Sequence, residues 1–177
     1  MNYSIEKLMP AEEISKRVKE LAAEITRDYA GKTITLLCTL KGAAIFLADL
    51  AREIDLDVRM EFIKVSSYGN NLKSDGKIQL EYPEKTDLEG KNVIVVEDIV
   101  DMGYTASWLM KYLRESKPAS LKLCALLDKP ARRKTEVEID YLGFSIPDEF
   151  VVGYGLDFAQ KHRCLPYLGK IIYKESF

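Results

Sequence analysis

The chain has 177 residues, 47% hydrophobic and 31% charged, a composition that suits one globular domain with a real core and excludes a disordered chain. Lys and Arg number 26 against 28 Asp and Glu, so no net field draws nucleic acid or an anionic membrane, and an anionic ligand must be caught locally. The opening MNYSIEKLMP has no long apolar run behind a basic segment, and no stretch approaches membrane-spanning length; neither signal peptide nor membrane partner is expected, and the location reads as cytoplasmic.

Cys38, Cys124 and Cys164 are odd in number and far apart, which argues against a disulfide framework and a zinc site. His162 is the only histidine. No serine or cysteine lies in a recognisable nucleophile motif, and His162 reads as a surface residue.

Residues 11–30, AEEISKRVKELAAEITRDYA, place Ile14, Val18, Leu21, Ala22 and Ile25 on one helical face, with Pro10 before and Gly31 after. TITLLCTL (33–40) reads as a buried strand, and Lys41-Gly42 opens a second helix, AAIFLADLARE. DVRMEFIKVSSY (57–68) alternates like a half-exposed strand. GNNLKSDGK (69–77) has the composition of a mobile surface loop. IQLEY follows, then NVIVVEDIV (92–100), a continuous buried strand. YTASWLMKYLRES reads as a helix with Leu109, Leu113 and Trp108 turned inward, ending before Pro118. LKLCALL (121–127) is another core strand, and VEIDYLGFSI, FVVGYGLDF and KIIYK read as strands joined by turns.

This alternation predicts a single α/β domain over residues 1–177, a mostly parallel twisted sheet flanked by helices. Ligands of such sheets bind beyond the carboxyl ends of the strands, which gathers Lys41, residues 97–105, Asp128 and Lys129 along one rim.

At that rim a helix opening at Gly103 or Tyr104 offers unpaired backbone N–H groups and a positive dipole end to a phosphate. Gly103 lets the backbone approach, and the hydroxyls of Thr105 and Ser107 can donate. Asp101 by itself reads as the helix N-cap rather than as a ligand of the phosphate. Glu97 and Asp98 would repel a phosphate unless a cation or sugar hydroxyls stood between. Neighbours in a strand point to opposite sides, so the pair suits ribose hydroxyls or a hydrated Mg²⁺ better than a compact cage.

VIVVEDIVDMGYT resembles the phosphoribosyl diphosphate motif of type I phosphoribosyltransferases: four apolar residues, two acidic, two apolar, then Asp, Gly and Thr. LKGAAIFLADL, SSYG, LLDKP and GFSIPDEFVVGYGLDF followed by Arg163 resemble, in order, the pyrophosphate loop, mobile loop, base-reading lysine and purine pocket of the family's hypoxanthine/guanine branch. The resemblance implies the type I phosphoribosyltransferase fold, with a small hood built from the terminal segments. It implies transfer of the 5-phosphoribosyl group from 5-phosphoribosyl-1-diphosphate to a 6-oxopurine, with Mg²⁺ as cofactor, and a homodimer or homotetramer.

It also assigns residues. Glu97, Asp98, Asp101, Met102, Gly103, Tyr104 and Thr105 would hold the phosphoribosyl group, Asp101 taking the proton from purine N7. Leu40, Lys41, Gly42, Ser67, Tyr68 and Arg163 would meet pyrophosphate, the Leu40-Lys41 peptide being one that can be cis. Lys129, Phe150, Val151 and Asp157 would form the purine site, through O6 for Lys129 and the ring face for Phe150. Glu97, Asp98 and Asp157 would face magnesium, and the loop from about 67 to 77 would close over the site and exclude water. Arg132, Arg133 and Lys134 read as a solvated basic turn. Met102 departs from the family, which has Ser or Thr there, so one hydroxyl contact to phosphate is lost. A same-fold RNA-binding regulator would need a basic face that this balanced charge does not provide, and Lys129 opposes adenine, which carries a donor where a 6-oxopurine has an acceptor. A xanthine enzyme is the nearer alternative.

Overall fold

The computed structural model describes residues 3–67, 78–80 and 87–173. Strand β1 (Tyr3–Met9) leads into helix α1 (Ala11–Asp28), followed by β2 (Ile34–Leu40), α2 (Ala44–Glu53), β3 (Val58–Ser67) and β4 (Ile78–Leu80). Then come β5 (Asn92–Val100), α3 (Tyr104–Arg114), β6 (Ser120–Asp128), a 3-10 turn (Pro130–Arg132), β7 (Tyr141–Ser145), β8 (Val151–Val152) and β9 (Leu168–Tyr173). The main sheet has the order β4-β3-β2-β5-β6-β7. Its strands are parallel except for β4, which runs antiparallel to β3.

Burial on both faces explains the continuous apolar strands. Ile34, Leu36 and Cys38 of β2, with Ile94 and Val96 of β5, join one cluster with the apolar stripes of α1 and α2. The alternate residues Leu37, Val93 and Val95 pack on the other face with Leu109, Met110 and Leu113 of α3. The chain passes from β2 to β3 on one side, while β5 lies on the other. The carboxyl ends of β2 and β5 therefore flank a switch point, where the loops diverge and leave a crevice.

A second sheet, β1-β9-β8, joins both ends of the described chain, as the hood expected from the resemblance. The periodicity of residues 3–9 did not predict β1. It forms because β9 offers an edge, in a register from Tyr3↔Tyr173 to Lys7↔Gly169. FVVGYGLDF holds only the two-residue β8, since Gly153 and Gly155 turn the chain at φ +94° and +103°. VEIDYLGFSI becomes a strand only from Tyr141.

His162 corrects its surface assignment. It is half-buried, and its Nε2 shares a 2.7 Å hydrogen bond with the Tyr3 hydroxyl, tying β1 to the loop before β9. Trp108 is also only half-buried, stacked on Tyr112 with ring centroids 5.3 Å apart. Among the described residues no helix is long and apolar enough to cross a membrane.

Candidate active site

The helix start at the rim is built on Gly103. Its φ of +87° makes it the N-cap of α3, with no side-chain cap, and a methyl group there would overlap the Thr135 carbonyl. Asp101 therefore does not cap the helix. The Ser107 N–H gives the first helical bond, 2.9 Å to the Gly103 carbonyl, so the amides of Tyr104, Thr105 and Ala106 have no partner within the helix. Tyr104 is exposed and Thr105 half-buried beside them. Met102 is 40% exposed, and its carbonyl accepts from the Lys134 and Thr135 amides at 3.0 and 3.1 Å.

The basic turn after β6 is not simply solvated, and this corrects the reading of Arg132 and Arg133. Arg133 donates through Nη1 to the Asp101 carbonyl at 3.0 Å and pairs through Nη2 with Asp128. Arg132 places Nε 3.1 Å from Asp101 Oδ1 and Nη1 3.3 Å from Asp148 Oδ1. The loop that would wrap a phosphate is thus stitched from outside by residues 132–135.

Glu97 is 8% exposed. The Thr39 hydroxyl lies 2.6 Å from its Oε2 and 3.1 Å from the Val96 carbonyl. Burial, then the neighbouring Asp98, push its carboxyl up to about 8 despite Thr39. Burial raises Asp98 as well. The Ile99 amide and Arg163 oppose that rise, and Asp157 adds to it. Asp98 Oδ1 accepts from the Ile99 amide at 2.8 Å. Cys38, beneath this pair, is pushed up to about 12 by burial and then by the two carboxylates, which makes it an inert core thiol.

The Leu40-Lys41 peptide is cis, Lys41 is exposed, and Gly42 packs against the Asp98 carboxylate. Gly155 packs in turn on the Gly42 carbonyl, leaving no room for a Cβ at either position. Arg163 donates to the Gly155 carbonyl at 2.8 Å and pairs with Asp157 Oδ1 at 2.6 Å, while Asp157 Oδ2 accepts from the Gln160 amide at 2.8 Å. Tyr154 fastens this turn to α2, donating to Asp49 Oδ2 at 2.6 Å. Ser67 ends β3; Tyr68 and the remainder of the expected lid, to residue 77, lie outside the described residues.

Lys129 is only 6% exposed, with Nζ 3.9 Å from Asp148 Oδ1. Phe150 leaves half of its surface open, one ring edge meeting Phe158 at 5.5 Å. Its carbonyl accepts from the Ile171 amide at 3.0 Å. Alternation along the strand then turns the Val151 N–H and carbonyl to the outer edge of the three-stranded sheet.

A family model described as the phosphoribosyl transferase domain matches residues 4–159. The chain belongs to the phosphoribosyltransferase family. Among its relatives, the hypoxanthine-guanine phosphoribosyltransferase of Bacillus subtilis is 46% identical over 170 residues, 96% of this chain and 94% of that protein. The hypoxanthine phosphoribosyltransferase of Escherichia coli is 42% identical over 174 residues, 97% of this chain and 98% of that protein. A crystal structure of a hypoxanthine-guanine phosphoribosyltransferase from Bacillus anthracis superposes with a TM-score of 0.89 at 45% identity, covering 97% of this chain and all of that one (100%).

In this phosphoribosyltransferase the donor set at the rim is all oxygen, which suits a hard cation. Among the described residues no three His, Cys, Asp or Glu side chains converge as a metal cage. The buried Glu97 and the half-buried Asp98, both disfavoured as anions, fit instead an ion that keeps most of its water and arrives with a phosphorylated substrate. Sequence reasoning missed Arg132, Arg133 and Asp148, whose roles arise from contacts across loops. The one available signal was the adjacency of Arg132 and Arg133 to Lys129, a residue already placed on the rim.

Proposed function

We propose that this phosphoribosyltransferase transfers the 5-phosphoribosyl group from 5-phosphoribosyl-1-diphosphate to hypoxanthine or guanine, giving IMP or GMP and pyrophosphate, in cytoplasmic purine salvage. The observation that carries the reading is the meeting, on one rim, of the unpaired amides of α3 with the buried ammonium of Lys129. The first fits a sugar phosphate and the second a 6-oxo group.

The amides of residues 104–106, with the Thr105 hydroxyl, take the 5′-phosphate. Glu97 and Asp98 face the ribose hydroxyls. Phe150 stacks on the purine, worth about 1–3 kcal/mol for such a contact. Lys129 donates to O6, and the free edge of Val151 meets the other side of the base. As purine N9 bonds to C1′ and the bond from C1′ to the pyrophosphate oxygen breaks, Asp101 accepts the N7 proton, and its charge favours the oxocarbenium-like centre. Lys41, Gly42 and Arg163 hold the departing pyrophosphate, a role the resemblance gives also to Ser67 and Tyr68. Bound Mg²⁺ would supply charge neutralisation to the pyrophosphate, held by Glu97 and Asp98 through water, with Asp157 at a second ion. The chain acts as one domain and assembles as a homodimer or homotetramer.

The test is pyrophosphate release with 5-phosphoribosyl-1-diphosphate, with and without Mg²⁺, and each of hypoxanthine, guanine, xanthine and adenine. Turnover with the first two that needs Mg²⁺ and is lost in Asp101→Asn is expected. Preference for adenine, or full activity in Asp101→Asn at neutral pH, would overturn the reading.

A further inference from the structure

We infer that Arg132 is a positioning residue for Asp101, selecting which of its two carboxylate oxygens faces the substrate; the inference rests on the reading of Asp101 as proton acceptor. Asp101 Oδ1 is buried and accepts no hydrogen bond, although Arg132 Nε lies 3.1 Å away. The guanidinium is close enough for an ion pair but off the line of a hydrogen bond. It covers Oδ1 and attracts it without donating to it.

The Asp101 side chain as a whole is 37% exposed, although its Oδ1 is buried. Oδ2 is therefore the oxygen open to an incoming purine. A free aspartate rotates about its terminal torsion through a broad, two-fold well. A cation fixed on one oxygen removes that freedom and keeps the other oxygen aimed outward.

Arg132 is itself fixed. Its Nη1 meets Asp148 Oδ1 at 3.3 Å, and the same oxygen lies 3.9 Å from Lys129 Nζ. One carboxylate thus steadies both the O6-reading lysine and, through Arg132, the N7-facing aspartate. The two groups that must engage the neighbouring O6 and N7 atoms on one edge of the purine share a common brace. Reacting groups placed in this way owe their rate to orientation more than to binding.

The decisive measurement is steady-state kinetics with hypoxanthine on Arg132→Ala, Arg132→Lys, Asp101→Asn and the double variant Asp101→Asn/Arg132→Ala, with thermal melting of each. Arg132→Ala is expected to lower kcat about ten-fold while KM for 5-phosphoribosyl-1-diphosphate stays within about two-fold. Arg132→Lys, which retains a cation, should recover most of that loss. In the Asp101→Asn background, removing Arg132 should cost nothing further, because no base remains to be aimed. Unchanged kcat in Arg132→Ala, or a loss that adds fully to that of Asp101→Asn, overturns the inference; so does a fall in rate matched by a fall in melting temperature. A fully active Asp101→Asn removes the proposed base itself, whereas an inactive Asp101→Asn beside a normal Arg132→Ala removes only the role of Arg132.

Discussion

Gly42 lies directly against the carboxylate of Asp98, so that a methyl group on Gly42 would overlap Oδ2. The loop proposed to hold pyrophosphate and the acidic end of β5 are therefore one packed unit. Gly42→Ala forces either the loop or the carboxylate to move, at about 1–3 kcal/mol of overpacking. Displacement of a substrate-facing loop by about an ångström can cost a hundred-fold in rate. Pyrophosphate-release kinetics should show at least a ten-fold loss of kcat/KM, and a KM for 5-phosphoribosyl-1-diphosphate equal to that of the wild type would count against the packing argument.

Arg133 holds the loop proposed to bind phosphate by its backbone, through the Asp101 carbonyl, and is anchored by Asp128. Arg133→Ala leaves a partly buried Asp128 without its cation and lets the loop relax. The expected cost is about 2 kcal/mol of stability and about a ten-fold rise in KM for 5-phosphoribosyl-1-diphosphate. Urea denaturation and initial-rate assays on the same preparation separate the two effects.

Met102 exposes its side chain beside the amides that would receive phosphate. Met102→Thr adds a hydroxyl donor without disturbing the carbonyl that Lys134 and Thr135 already use. A hydrogen bond to a charged group contributes about 1.5–3 kcal/mol at best and less near solvent. KM for the diphosphate should fall several-fold with kcat little changed; a higher KM would mean that the thioether itself supports the loop.

Glu97 sets a pH dependence of stability. Its carboxyl is raised on folding, by burial first, from 4.5 to about 8. The folded state therefore holds the proton more tightly. Stability from this group is fully present below 4.5 and is lost as pH rises through about 8, at about 1.4 kcal/mol per pH unit within that window. Glu97→Gln, which stays neutral, should flatten the slope in metal-free buffer. Denaturation midpoints taken across that range decide it: parallel curves for the two proteins would refute the burial argument.

Lys129 is a nearly buried ammonium whose carboxylate partner, Asp148, lies at a distance of 3.9 Å. Lys129→Met keeps the apolar stem and removes the donor to O6. It should lower kcat/KM for hypoxanthine by about ten- to a hundred-fold and narrow the discrimination against adenine. Competition between the two bases reads both effects in one experiment.

Local pattern was enough to recognise the apolar stripe of α1, the doubly buried β2 and β5, and the strand, glycine and helix around Gly103. Each rests on the spacing of neighbouring residues or on one backbone conformation, and those depend on near neighbours alone. The motif order along the chain also pointed to the family, and so to a hood that periodicity could not show. Residues 3–9 became β1 only because β9, more than 150 residues later, presents an edge at Tyr173↔Tyr3. Arg132 and Arg133 looked like solvated charge because their partner Asp101 is some thirty residues away and meets them only when β5 and β6 lie side by side. The acidity of Glu97, the contact of Gly155 with Gly42, and the burial of Asp101 Oδ1 beside Arg132 were likewise decided by tertiary structure. Burial and close packing are properties of surroundings, and surroundings exist only once distant segments have been brought together.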